Sequence, residues 1–255
     1  VIDTLALDVI AALVLAAFAA GFVDAIAGGG GLVTLPALLL AGLPPVEALA
    51  TNKLQGAFGS GTAAAYYARG GLVDARSQWL PAAVSLLAAA AGSLLAAHMP
   101  VDLLRWAMPV VLVGVALWFG LKRGLSDADR AARLSPALFA LTFVPVVAAY
   151  DGLLGPGTGS FFMLGLVVLA GMGVLRATAQ TKVLNFASNL GSLAVFVTVG
   201  GVWWGLGLAM AAAQVAGARI GARVAMRQGA RLIRPLLVTV STLLALRLIW
   251  QAMAG

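Results

Sequence analysis

The chain has 255 residues, 62% hydrophobic and only 10% charged, with a mean hydropathy of +1.03, a balance that excludes a water-soluble domain and marks a polytopic membrane protein. It has no cysteine and one histidine, His98, which excludes disulfides, thiolate nucleophiles and Cys- or His-rich metal sites. The net charge of +7 fits basic cytoplasmic loops, and no Lys/Arg cluster is interleaved with aromatics as a nucleic-acid strand would require.

Apolar residues come in blocks and do not alternate, so the spans are helices and not barrel strands. Ten segments follow in order: Leu5–Ile26, Gly31–Leu43, Asn52–Ala68, Gln78–Ala97, Leu103–Leu121, Leu134–Ala149, Phe161–Ala170, Thr181–Val199, Trp203–Ala225 and Leu232–Gln251. The first has Asp3 and Asp8 on its flank and no positive charge, so it reads as a true span entered from outside, not a signal peptide. The second and seventh are too short to cross a bilayer as ideal helices, since a crossing takes about 20 residues. They span only if the glycine-rich backbone beside them completes the crossing. Eight to ten membrane segments are therefore expected.

The shift that carries Lys53 onto Lys182 also carries Gly28 onto Gly157, Gly30 onto Gly159, Gly42 onto Gly171, Gly92 onto Gly221 and Arg105 onto Arg234. The chain has three lysines and two of them coincide, so an internal repeat is read. Residues 1–122 form the first transmembrane repeat, 123–133 a polar cytoplasmic linker and 134–255 the second repeat. If every segment crosses and both termini lie outside, Arg69, Arg76, Lys122, Arg123, Arg130, Arg133, Arg176, Arg227, Arg231 and Arg234 share one face, a positive-inside pattern. Five crossings per half invert the halves relative to each other, an arrangement typical of transporters. The tryptophans Trp79, Trp106, Trp203, Trp204 and Trp250 fall near segment ends, as an interfacial belt would.

The least apolar features lie in the most apolar setting. Gly28, Gly29, Gly30 and Gly31 open the second segment, and Gly157, Thr158, Gly159 and Ser160 open the seventh. Two readings fit: the freed N–H groups of a helix start attract an anion, or the small residues let helices pack closely. Lys53 and Lys182 stand at the starts of the third and eighth segments, either holding an anion or snorkelling to an interface. Asn52, Thr181 and Asn185 lie beside them, and Lys182, Asn185 and Asn189 share one helix face. Asp24 and Asp151 precede the glycines, two residues out of register with each other. Each is a candidate to carry a coupling proton, to pair with a lysine, or to cap a helix.

The patterns G-F-x-D-x-x-x-G-G-G-G and A-T-N-K in the first half, with G-x-x-G-x-G-x-G and T-K followed by Asn185 in the second, resemble the TauE/SafE family of sulfite and organosulfonate exporters. The resemblance spans nearly the whole chain. It implies a secondary transporter, in a bacterial inner membrane, of a small sulfur-containing anion such as sulfite, a sulfonate or sulfoacetate. The second half departs from the first, with Gln180-Thr181-Lys182 against Thr51-Asn52-Lys53. The expected partners are that anion, the bilayer and a coupling proton, with no nucleic acid, metal or cofactor. An uncoupled anion channel and a carrier of a non-sulfur organic anion are the alternatives, and an enzyme is disfavoured by the lack of metal ligands or a nucleophile–base pair. Substitution of Lys53 or Lys182 by alanine is expected to weaken anion binding without unfolding the chain.

Overall fold

The computed structural model describes residues 5–100 and 128–229, and every regular element among them is helical. The fifth and tenth segments, Leu103–Leu121 and Leu232–Gln251, lie outside the described residues, as do Arg105, Arg234, Trp106, Trp118, Trp250 and residues 123–127 of the linker. The other eight segments each coincide with a helix.

Helix α1 runs over Leu7–Ala27 and breaks at Gly28, whose φ of 72° is one that a side chain resists. Short α2, Gly30–Leu40, follows at once. Helix α3, Pro45–Arg69, opens on a proline, whose missing N–H is not needed at a helix start. Helix α4, Ala75–His98, is capped by Asp74, whose carboxylate accepts from Arg76 N at 3.1 Å. In the second half α5 spans Pro136–Leu153, and Ser135 caps it by accepting from Leu138 N. It widens to a π-helical turn over Phe139–Phe143, just ahead of Pro145, which removes an N–H from the ladder. Short α6 is Thr158–Val168, α7 is Val174–Val199 and α8 is Trp204–Gln228.

The third and eighth segments begin earlier than the hydrophobic pattern suggests. Helices α3 and α7 start at Pro45 and Val174, so Lys53 and Lys182 are each the ninth residue of their helix. They stand within the helices and not at their starts.

Among the described residues, four helices are long and apolar enough to cross a membrane: α1, α4 from Arg76 onward, α5 and α7. Helices α3 and α8 match them in length but carry polar groups, among them Asn52, Lys53 and Gln55 on α3 and Gln214 and three arginines on α8. Leu7, Leu15, Leu87 and Val146 stand well exposed on the outside of the bundle. Such a surface suits lipid, not water.

Packing repeats with the halves exchanged. Helix α1 lies along α8, and α4 lies along α5; α4 packs on α7, and α8 on α3; α3 and α7 meet each other. Glycines make the first two contacts close. A methyl at Gly92 of α4 would strike the backbone of Ala149 on α5, and one at Gly221 of α8 would strike the backbone of Phe22 on α1. Gly92 and Gly221 are partners in the sequence repeat. Measured from these contacts, Asp24 and Asp151 are equivalent after all, each two residues beyond the backbone that the glycine touches. The register slip therefore lies after the aspartates. The second half has two additional residues between its aspartate and its glycine cluster.

Candidate functional site

The two broken helices meet. A methyl at Gly28 would sit 2.6 Å from the carbonyl carbon of Gly159, and one at Gly159 would sit 3.0 Å from Gly28 Cα. Only glycine admits that approach. Ser160 fastens it, donating to the carbonyls of Ala27 at 3.2 Å and Gly28 at 3.0 Å. These two carbonyls belong to the frayed end of α1, where no helical N–H follows to satisfy them.

Both lysines are buried, Lys53 at 1% exposure and Lys182 at 0%. Neither reaches an interface, which rules out snorkelling. Each pairs with an aspartate of the opposite half. Lys182 Nζ lies 3.0 Å from Asp24 Oδ2, and Lys53 Nζ lies 2.9 Å from Asp151 Oδ1. Lys53 also donates to the Asp151 carbonyl at 2.6 Å. Such pairing is what makes a charge tolerable in a dry interior.

The two carboxylates are placed differently. Asp24 Oδ1 accepts the N–H groups of Gly29 at 3.0 Å and Gly30 at 3.1 Å, so the carboxylate caps α2 while Oδ2 holds Lys182. A negative charge at a helix start also meets the positive end of its dipole. Asp151 caps nothing of this kind. The two extra residues set it back from the start of α6, and its Oδ2 is buried and accepts no hydrogen bond. In this state, then, the anion at the first glycine cluster is the chain's own carboxylate.

A cavity lies between these groups. Its lining includes Asp24, Gly29, Gly30, Gly31, Asn52, Lys53, Asp151, Gly157, Thr158, Gly159 and Asn185. Its volume is about 40 Å³, against the roughly 10–15 Å³ that one water requires on the same measure. It accommodates an ion of a few atoms and not a large organic substrate.

Of the residues expected at the site, Gly28, Ser160, Thr181 and Lys182 do not line this cavity. Gly28 and Ser160 join the broken helices, and Lys182 stands behind Asp24. Thr181 is buried with its hydroxyl unpartnered. Asn52 does line the cavity and also ties α2 to α3, its Oδ1 accepting from Thr34 Oγ1 at 2.6 Å and Gln55 Nε2 at 3.1 Å. Thr158 turns its hydroxyl to the Gly155 carbonyl at 2.7 Å. Sequence reasoning passed over Gln214 of α8, which lines the cavity, as do Gly56, Gly155 and Asn189. The available signal was a lone amide in the middle of an apolar helix, where burial demands a partner.

Glu47 lies in the first turn of α3 and accepts from the Trp203 indole, while Thr51 accepts from Trp203 N. Both fix α3 to the turn between α7 and α8, away from the cavity.

Comparison with known proteins identifies a family and relatives of this chain. Residues 13–248 match the family described as sulfite exporter TauE/SafE. A probable membrane transporter protein of a Sinorhizobium species is 53% identical over 96% of this chain and 94% of its own. One from Haemophilus influenzae is 40% identical over 96% of both chains, and one from Escherichia coli K12 is 41% identical over 92% of this chain and 88% of its own. No solved structure matches the chain.

Proposed function

This chain belongs to the TauE/SafE family of membrane transporters, and from that membership we propose that it carries a small sulfur-containing anion, of the sulfite, sulfonate or sulfoacetate type, across a bacterial inner membrane. The observation that carries the reading is the cavity itself. Two glycine-broken helices, an ammonium group and several amides meet there inside an otherwise apolar bundle. Amide and ammonium donors recognise oxyanions, and helix starts add their positive ends. The small volume favours a compact headgroup, such as a sulfur with its oxygens.

The exchange of contacts between halves supports alternating access, with one half rocking against the other around the glycine junction. In this reading the halves are oppositely oriented, and the arginines of the α3–α4 turn (Arg69, Arg76), the linker (Arg130, Arg133) and the end of α8 (Arg227) face the cytoplasm. The carrier reading fits better than an open pore, because the ionised groups at the centre are locked together in ion pairs.

The test is a panel of anions offered to the purified protein in detergent, comprising sulfite, sulfate, thiosulfate, sulfoacetate and the carboxylates acetate and malonate. Thermal stabilisation by the sulfur oxyanions, with counterflow of the stabilising anion in proteoliposomes, is the expected result. Stabilisation by carboxylates alone would overturn the sulfur assignment, and flux without counterflow would make the protein a channel.

A further inference from the structure

The two buried ion pairs are equivalent in the repeat but not in their surroundings. Asp24 has both oxygens engaged, one by Lys182 and the other by two backbone N–H groups. Asp151 has one oxygen on Lys53 and the other buried without a partner, on a residue that lines the cavity. A carboxylate oxygen that is buried and unbonded is the costliest acceptor in such a site, and it is relieved by whatever brings a hydrogen to it.

Charge adds a second argument. The centre holds two ammonium groups and two carboxylates and is formally neutral. An anion that enters alone leaves a net negative charge in a low-dielectric interior. It also competes with Asp151 for Lys53, and breaking a buried pair strands a charge. If Asp151 takes a proton as the anion arrives, the centre stays neutral and the Lys53 ammonium is released to the anion.

We propose that Asp151, and not Asp24, is the proton-binding group of this protein, and that a proton on its free oxygen enters with each anion that Lys53 holds. The proposal rests on the anion-transport reading for its second half only. The step balances: an O–H bond forms at Asp151 Oδ2, the ammonium–carboxylate contact opens, and one positive and one negative charge enter together. A monovalent anion is thus carried without net charge.

The groups that face Asp151 fit that duty. Helix α3 brings Lys53. Its own helix brings Tyr150, whose hydroxyl is occupied by the Pro156 carbonyl. Helix α4 brings Ser93, which donates to the Gly152 carbonyl, and its charged or titratable Arg76 and His98 stand at its two ends. Helix α6 brings Thr158, and α7 brings Asn185, with Lys182 committed to Asp24. Asp24 itself lines the same cavity and is held by Lys182 and α2.

The experiment has one arm that needs no substrate. Infrared difference spectra of the protein in liposomes, taken as the pH is lowered, should show a single protonated buried carboxyl band. It should persist in D24N and vanish in D151N. A band lost in D24N and kept in D151N, or no band at all, overturns the proposal. Because D151N leaves Lys53 without its partner, the paired variant K53Q/D151N is measured as well, and its fold is checked by size-exclusion; it must also lack the band. In the second arm, proteoliposomes clamped with valinomycin receive methanesulfonate, whose charge does not change with pH, while a trapped dye reads internal pH. Wild-type uptake with a matching acidification supports the proposal, and uptake with no pH change overturns it. If no anion of any kind is moved, the transport reading falls, and the infrared arm still decides whether Asp151 is the proton site.

Discussion

Lys182 on α7 meets Asp24 on α1 at 3.0 Å, and the same carboxylate holds the first two N–H groups of α2. One side chain from the first half thereby fixes a broken helix of its own half and a lysine of the other. The Lys53–Asp151 pair crosses in the opposite direction. Each half supplies one acid and one base, and neither pair closes within a half.

This pairing revises what a lysine substitution does. Lys53→Ala leaves Asp151 buried and unpaired, a loss of about 3–5 kcal/mol for a buried pair broken on one side. We expect a clear fall in melting temperature, read by fluorescence-detected size-exclusion, and recovery of most of it in the double variant K53A/D151N. If the single variant melts like the wild type, the ion pair is not formed in the membrane-embedded protein.

Gly31→Ala separates packing from anion binding. A methyl there meets nothing nearer than Asn52 Nδ2 at 3.6 Å, an ordinary contact. Stability should change by less than about 1 kcal/mol, the usual scale of a glycine-to-alanine exchange in a helix. The methyl nonetheless enters the cavity, so anion-induced thermal stabilisation should drop severalfold. Unchanged anion stabilisation would show that the glycines only pack.

Ser160→Ala gives the converse. It removes the donor to the Ala27 and Gly28 carbonyls and leaves both buried. The expected cost is about 1–3 kcal/mol, with anion affinity kept, because Ser160 does not line the cavity. Calorimetric binding on the folded fraction distinguishes this from loss of a ligand contact.

Outside the bundle, Asp129 receives the Gly173 N–H at 2.6 Å and pairs with Arg176. The Gly173 hydrogen bond, helped by the charge and hydrogen bond of the Arg176 guanidinium, holds its carboxyl below the usual carboxylate range against the opposing effect of burial. A carboxyl with a lowered folded-state value contributes stability above its unfolded value, about 3.9 for aspartate, and loses it as the pH falls through the folded value. The protection factor of the Gly173 amide, its exchange rate relative to the intrinsic rate at the same pH, should therefore stay high at neutral pH and fall only below that range. Asp129→Asn should remove the pH dependence. Both groups are half exposed, so the effect is local to this turn.

Much of this architecture is legible in the residues. Long apolar blocks fix the helices, and the coincidence of Lys53 with Lys182 and of Gly92 with Gly221 reveals the repeat. The pattern is weaker where polar residues extend a helix: the first two turns of α3, holding Glu47 and Thr51, do not read as span. What one dimension hides is which partner each charge takes. Asp24 and Asp151 look out of register because two residues were added after the aspartate, and only the backbone contacts of Gly92 and Gly221 restore the correspondence. Gln214 stays hidden for the same reason, since its importance comes from α8 lying across α1 and α3.

The crossed ion pairs also set an order for biogenesis. When α1 to α3 leave the ribosome, Asp24 and Lys53 enter the membrane well before residues 151 and 182 exist. Until α5 and α7 arrive, these early helices depend on the insertion machinery, water or each other to shield their charges. The first half is therefore a client awaiting its complement, and a chain ending before Asp151 would leave Lys53 without the carboxylate that offsets its burial.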